Sequence, residues 1–278
     1  MSLLLGELFD DIPTIHIVDV GASPIDGQPP YQRLVALGKA KVVGFEPNPA
    51  QYQLLQKQQN SFLTFFPYAV GDGKEGTLNI CSSPGMSSLL EPDLEILNHF
   101  HGFGEWGKVI HTQKVSTRRL DDIEEIQSVD YLKLDVQGSE LSVIKGASRR
   151  LQDTLVIHIE VQFVPFYKEQ PLFAELDQTL REAGFYLHCF TPLVCRAFKP
   201  LIVNDNIYAG LNQVLWADAV YVKKFTTFPQ LSSHQLLKIA FVMHEVYGSF
   251  DLCSLALEHM DRKEKTNRQL TYFRCLTR

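Results

Sequence analysis

Regularly spaced cysteines are missing from this sequence. Five cysteines occur among 278 residues, an odd number, and none of them forms a Cys-x-x-Cys pair. Disulfide frameworks and zinc sites usually show even numbers or fixed spacings of cysteine. We therefore expect reduced, mostly buried thiols, no metal ion and a cytoplasmic protein.

Long apolar runs and an excess of positive charge are missing as well. No stretch of 18 apolar residues occurs, so no membrane span is expected. The first residues, MSLLLGELFDDIP, have no basic region before their apolar stretch and make a poor signal peptide. The net charge is −6, whereas a general nucleic-acid-binding protein carries a basic stripe. We expect no nucleic-acid partner.

Apolar runs of strand length alternate with segments of helical spacing between residues 15 and 190. Helices that cross between successive strands give a parallel, doubly wound sheet, and such sheets bind ligands at the carboxyl ends of their strands. The sequence predicts an α/β fold with a doubly wound, Rossmann-like sheet. Its core strands are expected at residues 15–20, 41–47, 62–70, 129–136 and 155–166.

The chain is expected to divide into a sheet domain, residues 1–228, and a C-terminal helical extension, residues 229–278. The apolar faces of the extension need burial, either on the sheet domain or on a second subunit, so a homo-oligomer stays open. Residues 83–108 are rich in glycine, proline and aromatic residues. We expect a long irregular loop there that gates an acceptor site, with Ser87 as a candidate contact.

The first predicted strand ends in an acid and a glycine turn, IHIVDVGASPIDG, and the second ends at Glu46. Carboxylates at these positions can accept hydrogen bonds from ribose hydroxyls, although either could be a helix cap or a loop acid. Ser23 stands where a G-x-G-x-x-G loop has its second glycine, and a pyrophosphate needs bare backbone there. S-adenosylmethionine has no phosphate and fits this turn better than a dinucleotide.

A set of short motifs, spread in order over residues 15 to about 224, resembles the FkbM family of S-adenosylmethionine-dependent methyltransferases. They are IVDVGAS, VGFEPNP, YAVGD, STRRLDDI, VDYLKLDVQGSEL, VIKGA, HIEVQ and ADAVYVK. The resemblance implies a seven-stranded class I methyltransferase sheet, with one antiparallel strand supplied by LWADAVYVKK. It also implies S-adenosyl-L-methionine as cofactor, bound by Asp19, Gly21, Ala22, Ser23, Glu46, Pro47, Ala69 and Asp135.

Polar residues alternate with apolar ones on the last two parallel strands, where buried strands are usually apolar throughout. Lys133 is expected to form a buried pair with His158 or Glu160. Asp135 and Glu160 are the candidate catalytic residues, as proton acceptor or substrate orienter. Gln137 stands where the family has an acid and could bind the substrate. The candidate substrate-binding residues are Gln137, Ser87 and His158, the last of which could equally be a core histidine.

These observations predict an S-adenosylmethionine-dependent methyltransferase that modifies a hydroxyl of a sugar, a glycolipid precursor or a secondary metabolite. The acceptor is expected to be a small molecule or a glycan, and an amine acceptor stays open. Two other classes are considered: a non-catalytic S-adenosylmethionine-binding module and a nicotinamide-dependent oxidoreductase. The missing G-x-G-x-x-G loop counts against the oxidoreductase.

Overall fold

The structure, a computed structural model, describes residues 5–25 and 27–276. Nine strands are present there, and seven of them form one sheet in the order β3-β2-β1-β6-β7-β9-β8. Strand β9 is antiparallel to both of its neighbours, as the resemblance predicted, whereas the pairs from β3 to β7 are parallel. Strands β4 and β5 form a separate antiparallel pair. The strands are β1 (Ile15–Val20), β2 (Ala40–Phe45), β3 (Leu63–Phe66), β4 (Glu75–Cys81), β5 (Val109–Ser116), β6 (Tyr131–Leu134), β7 (Val156–Gln162), β8 (Phe185–Cys195) and β9 (Val214–Lys223).

Eleven α-helices lie within the described residues, and local sequence explains several of their ends. Asn48 caps the third helix by accepting a hydrogen bond from the Ala50 N–H, and Pro49 occupies its first turn. Ser232 and Gln235 form a capping box at the start of the ninth helix. The helices are α1 (Leu5–Leu8), α2 (Gln32–Ala36), α3 (Pro49–Gln56), α4 (Leu94–Leu97), α5 (Phe103–Trp106), α6 (Glu140–Lys145), α7 (Arg150–Asp153), α8 (Phe173–Glu182), α9 (Ser233–Glu245), α10 (Phe250–Glu264) and α11 (Arg268–Leu276).

The seven-stranded sheet is buried on both faces, which explains its nearly continuous apolar runs. Helices α6, α7 and α8 pack on one face, against Val18 and Ile157 among others. Helices α1, α2, α9 and α10 pack on the other, against Ile17, Tyr131 and Val156. The predicted C-terminal helices are therefore confirmed, and they cover a face of the sheet of their own chain. The domain boundary and the homo-oligomer stay predictions.

The prediction of a long irregular loop at residues 83–108 is wrong. The segment contains a 3-10 turn at Pro84–Met86 and the short helices α4 and α5. Phe100 and Phe103 are buried in a separate apolar cluster with Phe166 and Tyr167. Aromatic rings spaced through a segment can thus build a small core of their own, which strand and helix periodicity does not predict.

None of the helices within residues 5–25 and 27–276 has the length and apolar character that a membrane crossing requires.

Candidate functional site

Three adjoining cavities lie at the carboxyl ends of the central strands. The chain runs outward from β1 to β3 and returns to place β6 on the other side of β1, so the strand order reverses between β1 and β6. Such switch points are the usual ligand sites of α/β sheets. Asp135, the first residue after β6, lines all three cavities. We name them the first, second and third cavity and define each by its residues below.

The first cavity is bounded by the carboxyl end of β2 and by the segment after β3. Its residues include Phe45, Glu46, Pro47, Tyr68 and Ala69. The Phe45 and Tyr68 rings are nearly parallel, with centroids 6.0 Å apart. Flat aromatic rings and a proline beside a carboxylate suit a nucleoside, whose base is apolar on its faces and whose ribose carries hydroxyls.

Glu46 is a buried carboxylate at the edge of this cavity, with 6% of its surface exposed. Its Oε1 accepts a hydrogen bond of 2.7 Å from the Asn48 backbone N–H, which fixes the side chain. The pKa of Glu46 is raised from its ordinary 4.5 to about 7, mainly because the carboxyl is buried. The Asp19 and Asp135 carboxylates contribute to this rise, and the hydrogen bond from Asn48 opposes it. An ionised carboxylate at this position destabilises the folded protein. Hydrogen bonds from two ribose hydroxyls could offset that destabilisation.

The turn after β1 requires glycine at position 21. Gly21 has a φ of +81°, and a Cβ atom there would lie 1.8 Å from the Asp135 carbonyl oxygen. This close approach joins the β1 turn to the turn after β6. Ser23 Oγ and Gln51 Oε1 are buried, line the first cavity and have no partner within the described protein. Unsatisfied buried oxygens at this position fit a polar ligand such as S-adenosylmethionine.

Asp19 is tied to protein groups on both carboxylate oxygens. The Tyr31 hydroxyl donates to one over 2.5 Å, and the Lys133 ammonium donates to the other over 3.2 Å. Lys133 also lies 3.6 Å from Asp135. Burial would lower the pKa of Lys133, but the attraction of Asp19 and Asp135 outweighs burial and raises it.

The buried ion pair predicted for Lys133 is present, but its predicted partner is wrong. Lys133 lies beside His158 in the strand register, yet its side chain reaches Asp19 on the other neighbouring strand. Strand β6 has neighbours on both sides, and sequence alternation does not say which of them a long side chain reaches.

Gln137 joins the two predicted catalytic carboxylates. Its Nε2 donates to Asp135 Oδ1 and to Glu160 Oε2, each over 2.9 Å. The Tyr167 hydroxyl can donate to its Oε1 over 3.1 Å. An amide can donate twice, whereas a glutamate here would place three carboxylates together. These contacts make Gln137 a residue that positions Asp135 and Glu160, and its predicted role in substrate binding stays a prediction.

The turn that presents Gln137 is strained and fixed by a buried acid. Gln137 has a φ of +55°, which is uncommon for a residue with a side chain. Glu140 Oε1 accepts the N–H groups of Val136 and Gly138, over 2.9 and 3.2 Å. Burial raises the pKa of Glu140 to about 7 despite these bonds. Glu140 therefore stabilises the turn that presents Gln137.

The third cavity, of about 360 Å³, opens on the far side of Asp135 and Gln137. Its size is within the range of small-molecule sites. Acids from neighbouring strands lie at one part of its lining, where Glu160 on β7 pairs in register with Asp218 on β9. The rest of its lining includes four aromatic residues and one cation: Phe103, Trp106, Phe166, Trp216 and Arg196.

His158 is a core histidine in the structure. Its Nδ1 lies 3.1 Å from the Tyr247 hydroxyl and its Nε2 lies 3.5 Å from Asp218. It lines the second cavity, of about 490 Å³, together with Asp19, Lys133 and Asp218. Ser87 lies on the first cavity and accepts a hydrogen bond from the Cys81 N–H. Substrate contacts of His158 and Ser87 stay predictions.

Several residues of the site were not predicted from the sequence. Asp218 lies within the quoted motif ADAVYVK, and its alternation with Trp216 on one strand was a usable signal. Gln51 on α3, Tyr247 after α9 and Arg196 after β8 gave no signal, because they approach the site only through tertiary packing. No cluster of three or more His, Cys, Asp or Glu side chains that could hold a metal ion occurs in the part of the chain described.

Comparisons with known proteins match a large part of the chain. The model of the methyltransferase FkbM domain matches residues 19–187, more than half of the chain. The 2-O-methyltransferase NoeI of Sinorhizobium fredii (strain NBRC 101917 / NGR234) is 30% identical over 176 residues, which cover 59% of this chain and 71% of that protein. Among solved structures, precorrin-6y C5,15-methyltransferase from Geobacter metallireducens GS-15 superposes with a TM-score of 0.39 and 11% identity, over 78% of this chain and 85% of that one.

Proposed function

The chain belongs to the FkbM methyltransferase family, and from this premise we propose that it transfers a methyl group from S-adenosylmethionine to a hydroxyl group of a sugar, a glycolipid precursor or another small molecule. The observation that carries the proposal is the position of Asp135, which lines both the nucleoside-like first cavity and the aromatic third cavity. A group at this junction can contact a cofactor on one side and an acceptor on the other.

The first cavity is assigned to the cofactor. Glu46 accepts the ribose hydroxyls, Pro47 and Ala69 pack on the adenine, and the turn of Gly21, Ala22 and Ser23 contacts the amino-acid part. The unpartnered Ser23 Oγ and the raised pKa of Glu46 support this assignment, because both groups gain from hydroxyl or amino partners. S-adenosylmethionine supplies the methyl group as an electrophilic carbon bonded to a sulfonium sulfur. Asp19 accepts hydrogen bonds from Tyr31 and Lys133, so it fixes the position of Lys133 beside the turn.

The third cavity is assigned to the acceptor. Methyl transfer requires the nucleophile to be held in line, about 3 Å from the methyl carbon. A hydroxyl must also lose its proton, and Asp135 or Glu160 can accept it within hydrogen-bond reach. Gln137 keeps these two carboxylates oriented. Oxygen is favoured over nitrogen as the acceptor atom because the relative NoeI is named a 2-O-methyltransferase.

Calorimetric titration with S-adenosylhomocysteine tests the proposal, with NAD as the control ligand. We expect S-adenosylhomocysteine to bind and NAD not to. Glu46→Ala is expected to weaken that binding, whereas Glu124→Ala, which removes an exposed carboxylate outside the three cavities, is expected to leave it unchanged. Absence of binding would refute the cofactor assignment. Binding without release of S-adenosylhomocysteine from any acceptor in a screen of sugars and glycosides would favour the non-catalytic binding module.

A further inference from the structure

The lining of the third cavity contains one cation, Arg196. Arg196 follows β8, and its backbone N–H donates to the Gln213 carbonyl over 3.1 Å. Its guanidinium carbon lies 5.0 Å from the centroid of the Trp216 ring and 5.9 Å from that of Phe103. Aromatic faces attract a guanidinium and hold it in a defined orientation without neutralising its charge.

The charge of Arg196 has no carboxylate partner within 4 Å among residues 5–25 and 27–276. Its Nη1 donates to the Cys195 carbonyl over 3.0 Å, but its Nε is buried and has no acceptor. Burial lowers the pKa of Arg196. A guanidinium without a carboxylate partner can form charge-assisted hydrogen bonds with an incoming anion.

The acids of the same cavity are engaged elsewhere. Asp135 and Glu160 each accept a hydrogen bond from Gln137, and Asp218 lies 3.5 Å from the His158 ring. None of these three carboxylates lies within 4 Å of the Arg196 guanidinium as an ion pair among the described residues. The lining of the cavity therefore contains both carboxylates and a cation that they do not pair with.

Strand β9 contributes residues to both parts of this lining. Trp216 and Asp218 lie two residues apart on β9, on the same face, which corresponds to about 7 Å. Arg196 stacks over Trp216, and Val194, two residues before it, pairs with Trp216 in the register. The Trp216 ring that the guanidinium contacts therefore belongs to the residue next to Asp218 on that face of β9.

We propose that Arg196 recognises an anionic group on the methyl acceptor: a carboxylate, a sulfate or a phosphate. The inference rests on the proposed function only in assigning the third cavity to the acceptor. It narrows the acceptor class from sugars in general to anionic ones, and it makes Arg196 a specificity-determining residue.

The chain offers an optical reporter for this cavity. Trp106 and Trp216 are its two tryptophans, and both line the third cavity. Their fluorescence can be titrated with methyl glucuronide, with the matched neutral methyl glucoside and with inorganic sulfate, each with and without S-adenosylhomocysteine. The glucuronide and sulfate arms distinguish a carboxylate from an oxyanion of sulfur or phosphorus.

We expect methyl glucuronide or sulfate to bind at least about tenfold more tightly than methyl glucoside, as one charge-assisted hydrogen bond allows. Arg196→Gln is expected to abolish that preference and Arg196→Lys to retain part of it. Lys199→Gln removes an exposed positive charge three residues away, outside the cavity, and is expected to retain it in full. Melting curves and S-adenosylhomocysteine titrations establish that each variant is folded.

Equal affinity for the charged and the neutral glycoside, with no response to sulfate, would overturn the inference. A preference for anions that persists in Arg196→Gln would overturn it as well. The two proposals fail separately. If S-adenosylhomocysteine binds but anions are not preferred, only the role of Arg196 is removed. If anions are preferred through Arg196 but S-adenosylhomocysteine does not bind, only the methyltransferase mechanism is removed.

Discussion

Replacing Glu46 with glutamine is expected to stabilise the protein without ligand and to weaken cofactor binding at the same time. The Glu46 carboxyl is 6% exposed, and burial raises its pKa from 4.5 to about 7. Each pKa unit corresponds to about 1.4 kcal/mol, so the ionised carboxylate costs the folded protein about 3 kcal/mol above pH 7. Glutamine keeps an oxygen for the Asn48 N–H and carries no charge.

The sign of the pH dependence follows from which state binds the proton. Between pH 4.5 and 7 the Glu46 carboxyl is ionised in the unfolded chain but protonated in the folded one, so its contribution to stability falls as the pH rises through this range. The gain from Glu46→Gln is therefore expected to be largest at pH 8, where it amounts to several degrees in melting temperature, and to vanish near pH 4.

Cofactor binding is expected to move in the opposite direction. A carboxylate can accept hydrogen bonds from two ribose hydroxyls, whereas the glutamine amide can accept on only one of its two atoms. The loss of one charge-assisted hydrogen bond corresponds to about a tenfold or greater fall in affinity for S-adenosylhomocysteine at pH 8. Thermal melting and calorimetric titration of both proteins at pH 8 and pH 5 provide the test. A variant that melts lower than the parent at pH 8, or that binds with unchanged affinity, would refute the reasoning.

Three further substitutions test the junction at the end of β6. Asp135→Asn keeps an acceptor for the Gln137 amide but cannot take a proton, so turnover is expected to fall by about 10²–10⁴ while S-adenosylhomocysteine affinity changes little; an equally active variant would exclude Asp135 from proton transfer. Gly21→Ala places a Cβ 1.8 Å from the Asp135 carbonyl oxygen and is expected to abolish S-adenosylhomocysteine binding. Gly184→Ala is the control: its backbone is strained at φ +95° but has open space around it, so binding is expected to persist despite a lower melting temperature. Gln137→Glu adds a third carboxylate beside Asp135 and Glu160, so its melting temperature is expected to fall further below that of the parent at pH 8 than at pH 5; an equal difference at both pH values would contradict this.

Much of the fold could be predicted from the sequence because its strands are buried on both faces. Runs such as IHIVDV and VIHIEVQ have few polar residues, so their strand character and their order along the chain were readable. The antiparallel strand β9 came from the family resemblance instead. Periodicity failed at residues 83–108, where short helices are held by aromatic contacts with Phe166 and Tyr167 rather than by a repeating apolar face.

The candidate site was predictable where its residues follow a strand directly. Asp19, Glu46 and Asp135 are placed by the strand ends themselves, so their convergence followed from a parallel sheet. The partners of side chains that reach across the site were not predictable. Lys133 is an example, because it pairs with Asp19 rather than with a residue of β7. Arg196 is the extreme case, because it depends on the path of the chain beyond β8 and carries no local pattern.

The glutamine at position 137 has a physical reason in the charge of the site. Asp19, Asp135, Glu160, Glu46 and Asp218 already place five acids around the three cavities, and the cation within this group, Lys133, is shared by Asp19 and Asp135. A neutral amide adds two donors without adding charge, so it can hold two carboxylates close together where an acid would raise their pKa values. The Gln137 carbonyl also accepts a hydrogen bond of 2.6 Å from Ser88, which fastens the 83–108 segment to the same turn. The backbone of Gln137 is thus joined to the 83–108 segment, and its side-chain amide holds Asp135 and Glu160. Under the proposed function, these carboxylates give the site a negative potential beside the sulfonium, and Arg196 is the counter-charge for an anionic acceptor.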